Sequence, residues 1–300
     1  MIKLITHNDL DGIGCIILAK LFFKDNVDYT ICKSLKDVNE ILNNISINQY
    51  EKIFITDISC NEKYFNNDKI YLFDHHQTAE YLNQYKNCIV QVMLNNRKTC
   101  GTELFYQYLL NKGLESRNYF VELIRLYDTW EWINYNNKLP YYFNNLMYII
   151  GVNNFINLYI EKLQKQDLNE LNIFSDKERI LLEYQETQIQ NYINNKKQNI
   201  KIFELNIDNI KRKVGICFAE QHQSILGNTL CKEENIDIMI MLNLNQLTVS
   251  FRTELDNIDV SILAKKINEL GGGHKKAAGC LLDDNFNNYI YQFLINKIQD

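Results

Sequence analysis

The sequence has no apolar run of about 18 residues, the length that a membrane-spanning helix needs. Its first residues, MIKLITHNDLDG, lack the charged region, the long apolar region and the cleavage site of a secretory signal. There is no internal repeat or low-complexity tract, and the single proline, Pro140, is expected in a loop. These absences argue against a membrane span or a membrane partner and predict a cytoplasmic globular protein.

Paired cysteines and a positive net charge are also missing. The eight cysteines form no CxxC pair and have no zinc-ligand spacing, so we expect buried, reduced thiols. The formal net charge of −5 argues against a protein that coats long duplexes through a basic face. It does not exclude a small anionic substrate, because bound metal ions can reverse the local sign of charge.

The chain length and the hydrophobic pattern predict two α/β domains. At 300 residues, the chain exceeds the usual size of one compact domain. In the first half, four short apolar runs alternate with helical patterns, which is typical of a parallel sheet. The runs are IKLIT (2–6), VDYTIC (27–32), KIFIT (52–56) and KIYLF (69–73), and the helical patterns lie at 12–23, 102–110 and 118–132. This domain is assigned to residues 1–155.

The rest of the chain is predicted as a helical connector and a smaller domain. Residues 156–200 are polar and helix-forming, and Ser175 with Glu178 fits a capping box at a helix start. Residues 201–300 repeat the alternation of apolar runs and helices on a smaller scale and end in a glycine turn.

Acidic and imidazole side chains follow three of the predicted strands. They are His7, Asp9 and Asp11 after the first run, Asp57 after the third, and Asp74, His75 and His76 after the fourth. Open parallel sheets bind ligands at the carboxyl ends of their strands. Mixed carboxylate and imidazole ligands suit Mn²⁺, Fe²⁺ or Zn²⁺, and two ions about 3.5–4 Å apart are the usual apparatus for in-line attack on phosphorus.

Four blocks of this sequence resemble the hallmarks of a known superfamily. HNDLDG, TDIS, FDHH and the downstream GGGHKKAAG are similar, in this order, to the blocks of DHH phosphoesterases with a DHH-associated C-terminal domain. That group includes RecJ-type exonucleases and nanoRNases, and the resemblance spans residues 3 to 280. It implies a larger N-terminal parallel-sheet DHH domain, a helical connector and a smaller C-terminal α/β domain that binds substrate.

The resemblance also implies a role for each matching residue. Asp9 and Asp11 would bind separate metal ions, Asp57 would bridge them, His75 would bind the second, and Asp128 in LYDTWEW matches the remaining metal aspartate. His76 would face the scissile phosphate as donor or general acid, and Asp74 would orient the imidazoles. One departure concerns His7: it precedes Asp9 by two positions, whereas many members have four. His7 is therefore either a metal ligand or a histidine hydrogen-bonded within its turn.

Residues of the C-terminal part are expected to bind substrate. The resemblance places Gly271, Gly272, Gly273 and His274 in an anion-binding turn and Arg252 on a strand as a phosphate ligand. The alternatives are a helix C-cap for the glycines and a surface salt bridge for Arg252. Tyr127, Trp130 and Trp132 are candidates for stacking on a base, although aromatic packing is the favoured interpretation.

Together these features predict a phosphodiesterase with two divalent ions, Mn²⁺ first and Mg²⁺ or Co²⁺ as alternatives. Its substrates would be short single-stranded RNA or DNA oligonucleotides, cut to mononucleotides, as in the NrnB-like nanoRNase branch, because the chain leaves no room for an additional OB-fold. Alternatives are a phosphodiesterase of linear or cyclic dinucleotides, a RecJ-like single-strand exonuclease, a pyrophosphatase or exopolyphosphatase, and a nucleotide-sensing module without activity. A homodimer is compatible with the sequence.

Overall fold

The computed structural model describes residues 1–269, 271–283, 285, 286, 288, 289, 292, 295 and 296. The predicted domain 201–300 therefore lies partly outside the described residues. The chain divides into two compact units, Met1–Glu183 and Tyr184–Asp300. The assignment of 1–155, 156–200 and 201–300 to a DHH domain, a connector and a DHH-associated domain remains a proposal.

A five-stranded parallel sheet forms the centre of the first unit. Its strands are Ile2–His7 (β1), Val27–Cys32 (β2), Lys52–Thr56 (β3), Ile70–Asp74 (β4) and Cys88–Val90 (β5). The spatial order is β2-β1-β3-β4-β5, and every neighbouring pair is parallel. The four predicted strands are confirmed, and β5 adds an edge that is too short for its pattern to indicate. The carboxyl ends of β1, β3 and β4 therefore lie side by side at one edge of the sheet.

Helices cover this sheet on both faces. The helices that begin in the first unit are Leu10–Phe23 (α1), Leu35–Asn44 (α2), Gly101–Leu110 (α3), Asn118–Asp128 (α4), Leu139–Ile150 (α5), Val152–Lys165 (α6) and Asp176–Gln198 (α7). Alternate strand residues enter different cores, as period-two side-chain direction requires. Leu4 and Phe54 pack with α1, α3 and α4, whereas Ile5 and Ile55 pack with α2. A short hairpin, Met93–Leu94 (β6) with Arg97–Lys98 (β7), precedes α3.

Three details of the helices differ from or confirm the sequence predictions. The helix predicted over 118–132 ends at Asp128, because Trp130 adopts a left-handed backbone with φ of 60°. Pro140 lies in the first turn of α5 instead of a loop, a position where the missing N–H has no helical partner to lose. The capping box is confirmed: the Ser175 N–H donates to Glu178 Oε2, and the Glu178 N–H donates to Ser175 Oγ.

The second unit contains a six-stranded mixed sheet. Its strands are Lys201–Ile207 (β8), Ile210–Phe218 (β9), Ile238–Asn243 (β10), Thr248–Arg252 (β11), Gly272–His274 (β12) and Ala277–Leu281 (β13), in the order β12-β13-β11-β10-β9-β8. Only β9 and β10 are parallel among the described pairs of this sheet. The helices are Gln223–Glu233 (α8) and Val260–Ile267 (α9).

The prediction that the cysteines are buried is confirmed. All eight are buried and are free cysteines. No helix in the described part of the chain is long and apolar enough to cross a membrane.

Candidate metal centre

Acidic and imidazole side chains converge at the carboxyl-terminal edge of the parallel sheet. Two groups have donor atoms close enough to share an ion: His7, Asp9 and Asp57, and Asp11, His75 and Asp128. A third group, Asp57, His75 and His76, joins them. The structure therefore brings together, at this edge, the six residues predicted as metal ligands and the predicted catalytic His76.

Asp57 lies between the two main groups. Its Oδ2 atom is 3.6 Å from His7 Nδ1, and its Oδ1 atom is 3.3 Å from His75 Nε2. Neighbouring ligand atoms in an octahedral shell are about 3 Å apart, given metal–oxygen distances of about 2.1 Å. The two carboxylate oxygens therefore face different candidate ion positions, which is the arrangement of a bridging ligand.

The turn between β1 and α1 positions Asp9 and His7. Asp9 is the N-cap of α1, and its Oδ1 atom accepts a hydrogen bond of 3.1 Å from the Gly12 N–H. Its other oxygen is 2.7 Å from His7 Nδ1. A Cβ atom at residue 12 would lie 2.2 Å from the His7 carbonyl oxygen, so this turn needs glycine.

Asp11 is held from a distant part of the sequence. Its carboxylate is buried and accepts hydrogen bonds from the Gly101 N–H (2.6 Å) and the Thr102 N–H (2.7 Å). These amides are at the N-terminus of α3, where free N–H groups and the helix dipole favour an anion. Gly101 and Thr102 are thus part of the site that sequence reasoning missed. The signal in TCGT is weak, because the contact joins residues 90 positions apart.

The backbone of Asp57 has a left-handed conformation with φ of 56°. Residues other than glycine rarely adopt it, and such strain concentrates at functional sites. A Cβ atom at residue 101 would lie 2.7 Å from Asp57 Cβ, so Gly101 is required for α3 to approach this loop. Gly101 therefore contributes in two ways: it donates to Asp11 and makes space for Asp57.

Asp74 orients the two histidines that follow it. Its buried Oδ1 atom accepts hydrogen bonds from the N–H groups of His75 (2.8 Å) and His76 (3.2 Å), and it lies 2.7 Å from His76 Nδ1. The hydrogen bond that His76 Nδ1–H donates to Asp74 raises the pKa of His76 against the lowering effect of burial. Asp74 therefore favours a protonated Nδ1 and leaves Nε2 of the half-exposed His76 available to a substrate.

Asp128 is the last residue of α4 and faces His75, with Asp128 Oδ2 3.4 Å from His75 Nε2. The buried Arg125 lies one turn earlier and fixes this end of the helix. Its guanidinium donates to both carboxylate oxygens of Glu122, to Glu131 and to the Lys98 carbonyl oxygen. The position of Asp128 thus depends on a buried ion-pair network.

The electrostatics of this edge are those of a cation site. Burial and the charges of Asp11 and Asp9 raise the pKa of Asp57 well above its ordinary value, and the same causes raise the pKa of Asp128. Burial also lowers the pKa of His75. By contrast, the pKa of Asp9 is lowered to about 2: burial would raise it, but the hydrogen bond from His7 outweighs burial. Crowded carboxylates of this kind are destabilising unless a positive charge joins them.

Two buried polar atoms of this site have no hydrogen-bond partner in the described structure: Asp57 Oδ2 and His75 Nε2. Buried polar atoms are nearly always satisfied, so each such orphan needs an explanation. Both atoms face the candidate ion positions. The residues therefore fit divalent cations, and the donor set of carboxylates and imidazoles suits first-row metals.

In the second unit, the structure aligns Arg252 with His274. Arg252 pairs with Ala277 of β13, which in turn pairs with His274 of β12, so the three lie in one row on the same face of the sheet. Arg252 Nη2 donates to Ser224 Oγ at 2.7 Å. Among the described residues, no carboxylate forms a salt bridge with Arg252, so a surface ion pair does not account for it.

Two of the three glycines, Gly272 and Gly273, form an edge strand with His274 in place of the expected glycine turn. A Cβ atom at Gly271 would lie 2.6 Å from the Ala264 carbonyl oxygen, and Gly273 has a φ of 136° with similar crowding. Packing therefore explains these two glycines. A Cβ atom at Gly272 would meet open space, so the fold itself does not require glycine there.

Comparisons with known proteins place the chain in a family. No family model matches it. It is 36% identical over 302 residues to oligoribonuclease NrnB of Bacillus subtilis (strain 168), a match that covers 95% of this chain and 73% of that protein. The pGpG-specific phosphodiesterase PggH from Vibrio cholerae superposes with a TM-score of 0.58 at 16% identity, covering 100% of this chain and 99% of that one.

RecJ in complex with Mn²⁺ from Thermus thermophilus has the same TM-score of 0.58 at 12% identity, covering 95% of this chain and 50% of that one. At these low identities, the two structures show that the fold is shared. The identity to NrnB extends over nearly the whole chain. The chain therefore belongs to the NrnB family of DHH phosphoesterases.

Proposed function

We propose that this protein is a metal-dependent phosphodiesterase that hydrolyses short oligonucleotides to mononucleotides. The observation that carries the proposal is the position of Asp57, whose two oxygens face two separate groups of donor atoms. The relative with 36% identity is named an oligoribonuclease, which supports the choice of substrate.

Two divalent ions, with Mn²⁺ proposed first, would be held by His7, Asp9 and Asp57 on one side and by Asp11, Asp57, His75 and Asp128 on the other. RecJ structures have been solved with Mn²⁺ and with Mg²⁺, and both ions suit this donor set. When bound, such ions would polarise the phosphodiester and lower the pKa of an attacking water.

The protein's own groups would position the phosphate and the protons. The His76 imidazole, held by Asp74, presents Nε2 as a hydrogen-bond donor to a phosphate or leaving oxygen. The Asp11 carboxylate is fixed by the α3 amides and therefore keeps its orientation when the charge of the site changes.

Substrate phosphate would be bound by residues of the second unit. Arg252 and His274 lie in one row, and the small side chain of Ala277 separates them. Arg252 has donors to spare and no carboxylate partner among the described residues, so it is suited to an anion. Gly272 has open space where a side chain would be, which would let a phosphate approach its backbone.

The test is incubation of the purified full chain with Mn²⁺ and an end-labelled five-nucleotide RNA. Parallel reactions contain pyrophosphate, a cyclic dinucleotide, a linear dinucleotide and a long single-stranded DNA. We expect the five-mer to be shortened to mononucleotides, and EDTA to stop the reaction. Hydrolysis of pyrophosphate with intact RNA would contradict the proposal, and binding of nucleotides without hydrolysis would indicate a sensing module.

Two of the parallel reactions discriminate between related activities. Cleavage of the dinucleotide alone would restrict the substrate to dinucleotides, and a preference for long DNA would favour a RecJ-like exonuclease. The cytoplasmic location and a homodimer remain predictions from the sequence.

A further inference from the structure

A row of aromatic rings begins beside the candidate metal ligand Asp128. The row consists of Tyr127, Trp130, Trp132 and Tyr141. Ring centroids are 6.3 Å apart between Tyr127 and Trp130, 6.0 Å between Trp130 and Trp132, and 5.4 Å between Trp132 and Tyr141. The first and last pairs are stacked. These contacts confirm mutual aromatic packing, yet they leave one ring of the row substantially exposed.

That ring belongs to Trp130, which is 40% exposed. Tyr127 and Trp132 are half-buried, and Tyr141 is buried. The Trp130 ring packs against Tyr127 and Trp132, yet much of its surface stays in contact with solvent. Part of the Trp130 surface is therefore available to a ligand.

The backbone holds Trp130 in an unfavourable conformation. Its φ of 60° is left-handed, a region that bulky residues seldom occupy. The turn persists because neighbouring groups fix it: Thr129 Oγ1 donates to the Arg125 carbonyl oxygen at 2.8 Å, and Arg125 Nη1 donates to Glu131 Oε2 at 2.6 Å. The ring is thus presented by a rigid turn, and rigidity lowers the entropy that binding would lose.

The location of the row connects it with the chemistry. Asp128 lies between Tyr127 and Trp130 in the chain, and its Oδ2 atom is 3.4 Å from His75 Nε2. The aromatic row therefore begins next to a candidate metal ligand, beside the site where a scissile phosphate would lie.

We propose that Trp130 is a base-stacking residue: its exposed face binds the nucleobase of a nucleotide whose phosphate lies at the metal centre. The inference rests on the proposed function. Every nucleobase has a π-face, so a single tryptophan can stack on any base, whatever the nucleotide sequence of the substrate. Base stacking would explain three features of Trp130 together: its exposure, its strained backbone and its position beside Asp128. The enzyme would thereby favour nucleotides over other phosphodiesters.

The kinetic test compares Trp130→Ala, Trp130→Phe and, as a matched control, Tyr135→Ala. Tyr135 is 67% exposed and lies a few residues away, outside the aromatic row. Substrates are a 5′-phosphorylated adenine dinucleotide and its two analogues with one base replaced by an abasic site. We expect Trp130→Ala to lower kcat/KM on the dinucleotide about 10- to 100-fold, mainly through KM. Trp130→Phe should recover most of it, and Tyr135→Ala should match the wild type.

The abasic analogues separate stacking from a structural role. For one of the two, wild type and Trp130→Ala should have the same kcat/KM, because there is no base left to stack. If Trp130→Ala lowers kcat/KM equally on the dinucleotide and on both analogues, the residue only maintains the turn and the proposal is wrong.

A second measurement does not depend on hydrolysis. The chain has two tryptophans, so Trp132→Phe leaves Trp130 as the only one. In the presence of Ca²⁺, titration of this variant with the adenine dinucleotide should quench its fluorescence, and ribose 5-phosphate should not. Quenching without hydrolysis would support the stacking site and contradict the proposed function. Equal fluorescence responses to both compounds would contradict the stacking site.

Discussion

At the scale of single residues, Asp57 combines three properties that are unfavourable for folding alone. It is buried, its pKa is raised by burial and by neighbouring carboxylates, and its backbone has a φ of 56°. Each of these properties lowers the stability of the metal-free protein. The same residue has its two carboxylate oxygens between two groups of donor atoms. A residue that only supported the fold would not be expected to combine them.

The first prediction concerns Asp57→Asn. Asparagine tolerates a left-handed backbone, and the substitution removes a buried charge. We therefore expect the free energy of unfolding of the metal-free variant to be about 0.5–2 kcal/mol higher than that of the wild type. We expect its activity to fall below a tenth of wild type. Denaturant unfolding with EDTA and initial rates with Mn²⁺ measure the two effects. A variant that retains more than a tenth of the rate would contradict the bridging role.

The second prediction concerns Asp74→Asn. The amide can still bond the backbone, but it no longer stabilises the charged imidazole of His76 through Oδ1. We expect activity to fall about 10- to 100-fold, the usual range for a residue that orients a ligand or a catalytic imidazole. Circular dichroism should be unchanged. Wild-type activity in this variant would show that the orientation of His76 does not matter to the rate.

At the scale of elements, the sequence predicted the part of the site that follows from strands. The clusters at residues 7–11, 57 and 74–76 follow apolar runs, and parallel strands bring their carboxyl ends together. The α3 amides that hold Asp11 could not be predicted, because nothing local in TCGT indicates a partner 90 residues away. The left-handed Trp130 was likewise hidden, since the helical pattern continues through 132 although the helix ends at Asp128.

Two further elements show where local signals were present or misleading. The β6–β7 hairpin turns at Asn95 and Asn96, both with positive φ, and such a pair is a recognisable turn signal. The glycines after α9 were expected as an anion-binding turn because glycine permits positive φ. Gly272 and Gly273 form β12 with His274 instead, because Gly271 and Gly273 let the backbone pack closely against α9 and β13.

The third prediction tests the double role of Gly101. In Gly101→Ala, the new methyl group would overlap Asp57 Cβ, which lies 2.7 Å from its ideal position. We expect a loss of about 1–3 kcal/mol in the free energy of unfolding, as for other overpacked sites, together with weaker Mn²⁺ binding. Gln107→Ala on the exposed side of α3 is the control and should leave both unchanged. Unaltered stability and metal affinity in Gly101→Ala would refute the close approach of α3.

At the scale of the whole molecule, every candidate metal ligand lies in the unit Met1–Glu183, whereas Arg252 and His274 lie in the other. On the proposed function, the chemistry that requires metal and the binding of substrate phosphate would thus belong to different compact units. Mutations in the two units should then have different signatures: loss of metal binding in the first, and higher KM in the second.

The fourth prediction follows from this division. Mn²⁺ at about 100 times its dissociation constant should stabilise the wild type by about 2.7 kcal/mol for one site, because it binds the folded state and relieves the repulsion among carboxylates. Asp57→Asn should lose most of this gain, and Arg252→Ala should keep it. Thermal denaturation with and without Mn²⁺ gives both values. An equal gain in wild type and Asp57→Asn would place the ions elsewhere.

If two ions share Asp57, anomalous diffraction from crystals grown with Mn²⁺ will locate both of them. We predict two peaks about 3.5–4 Å apart, one beside His7 and Asp9 and the other beside Asp11, His75 and Asp128, with an oxygen of Asp57 next to each. Peaks away from these side chains, or no peak at this edge of the sheet in an active enzyme, would contradict it.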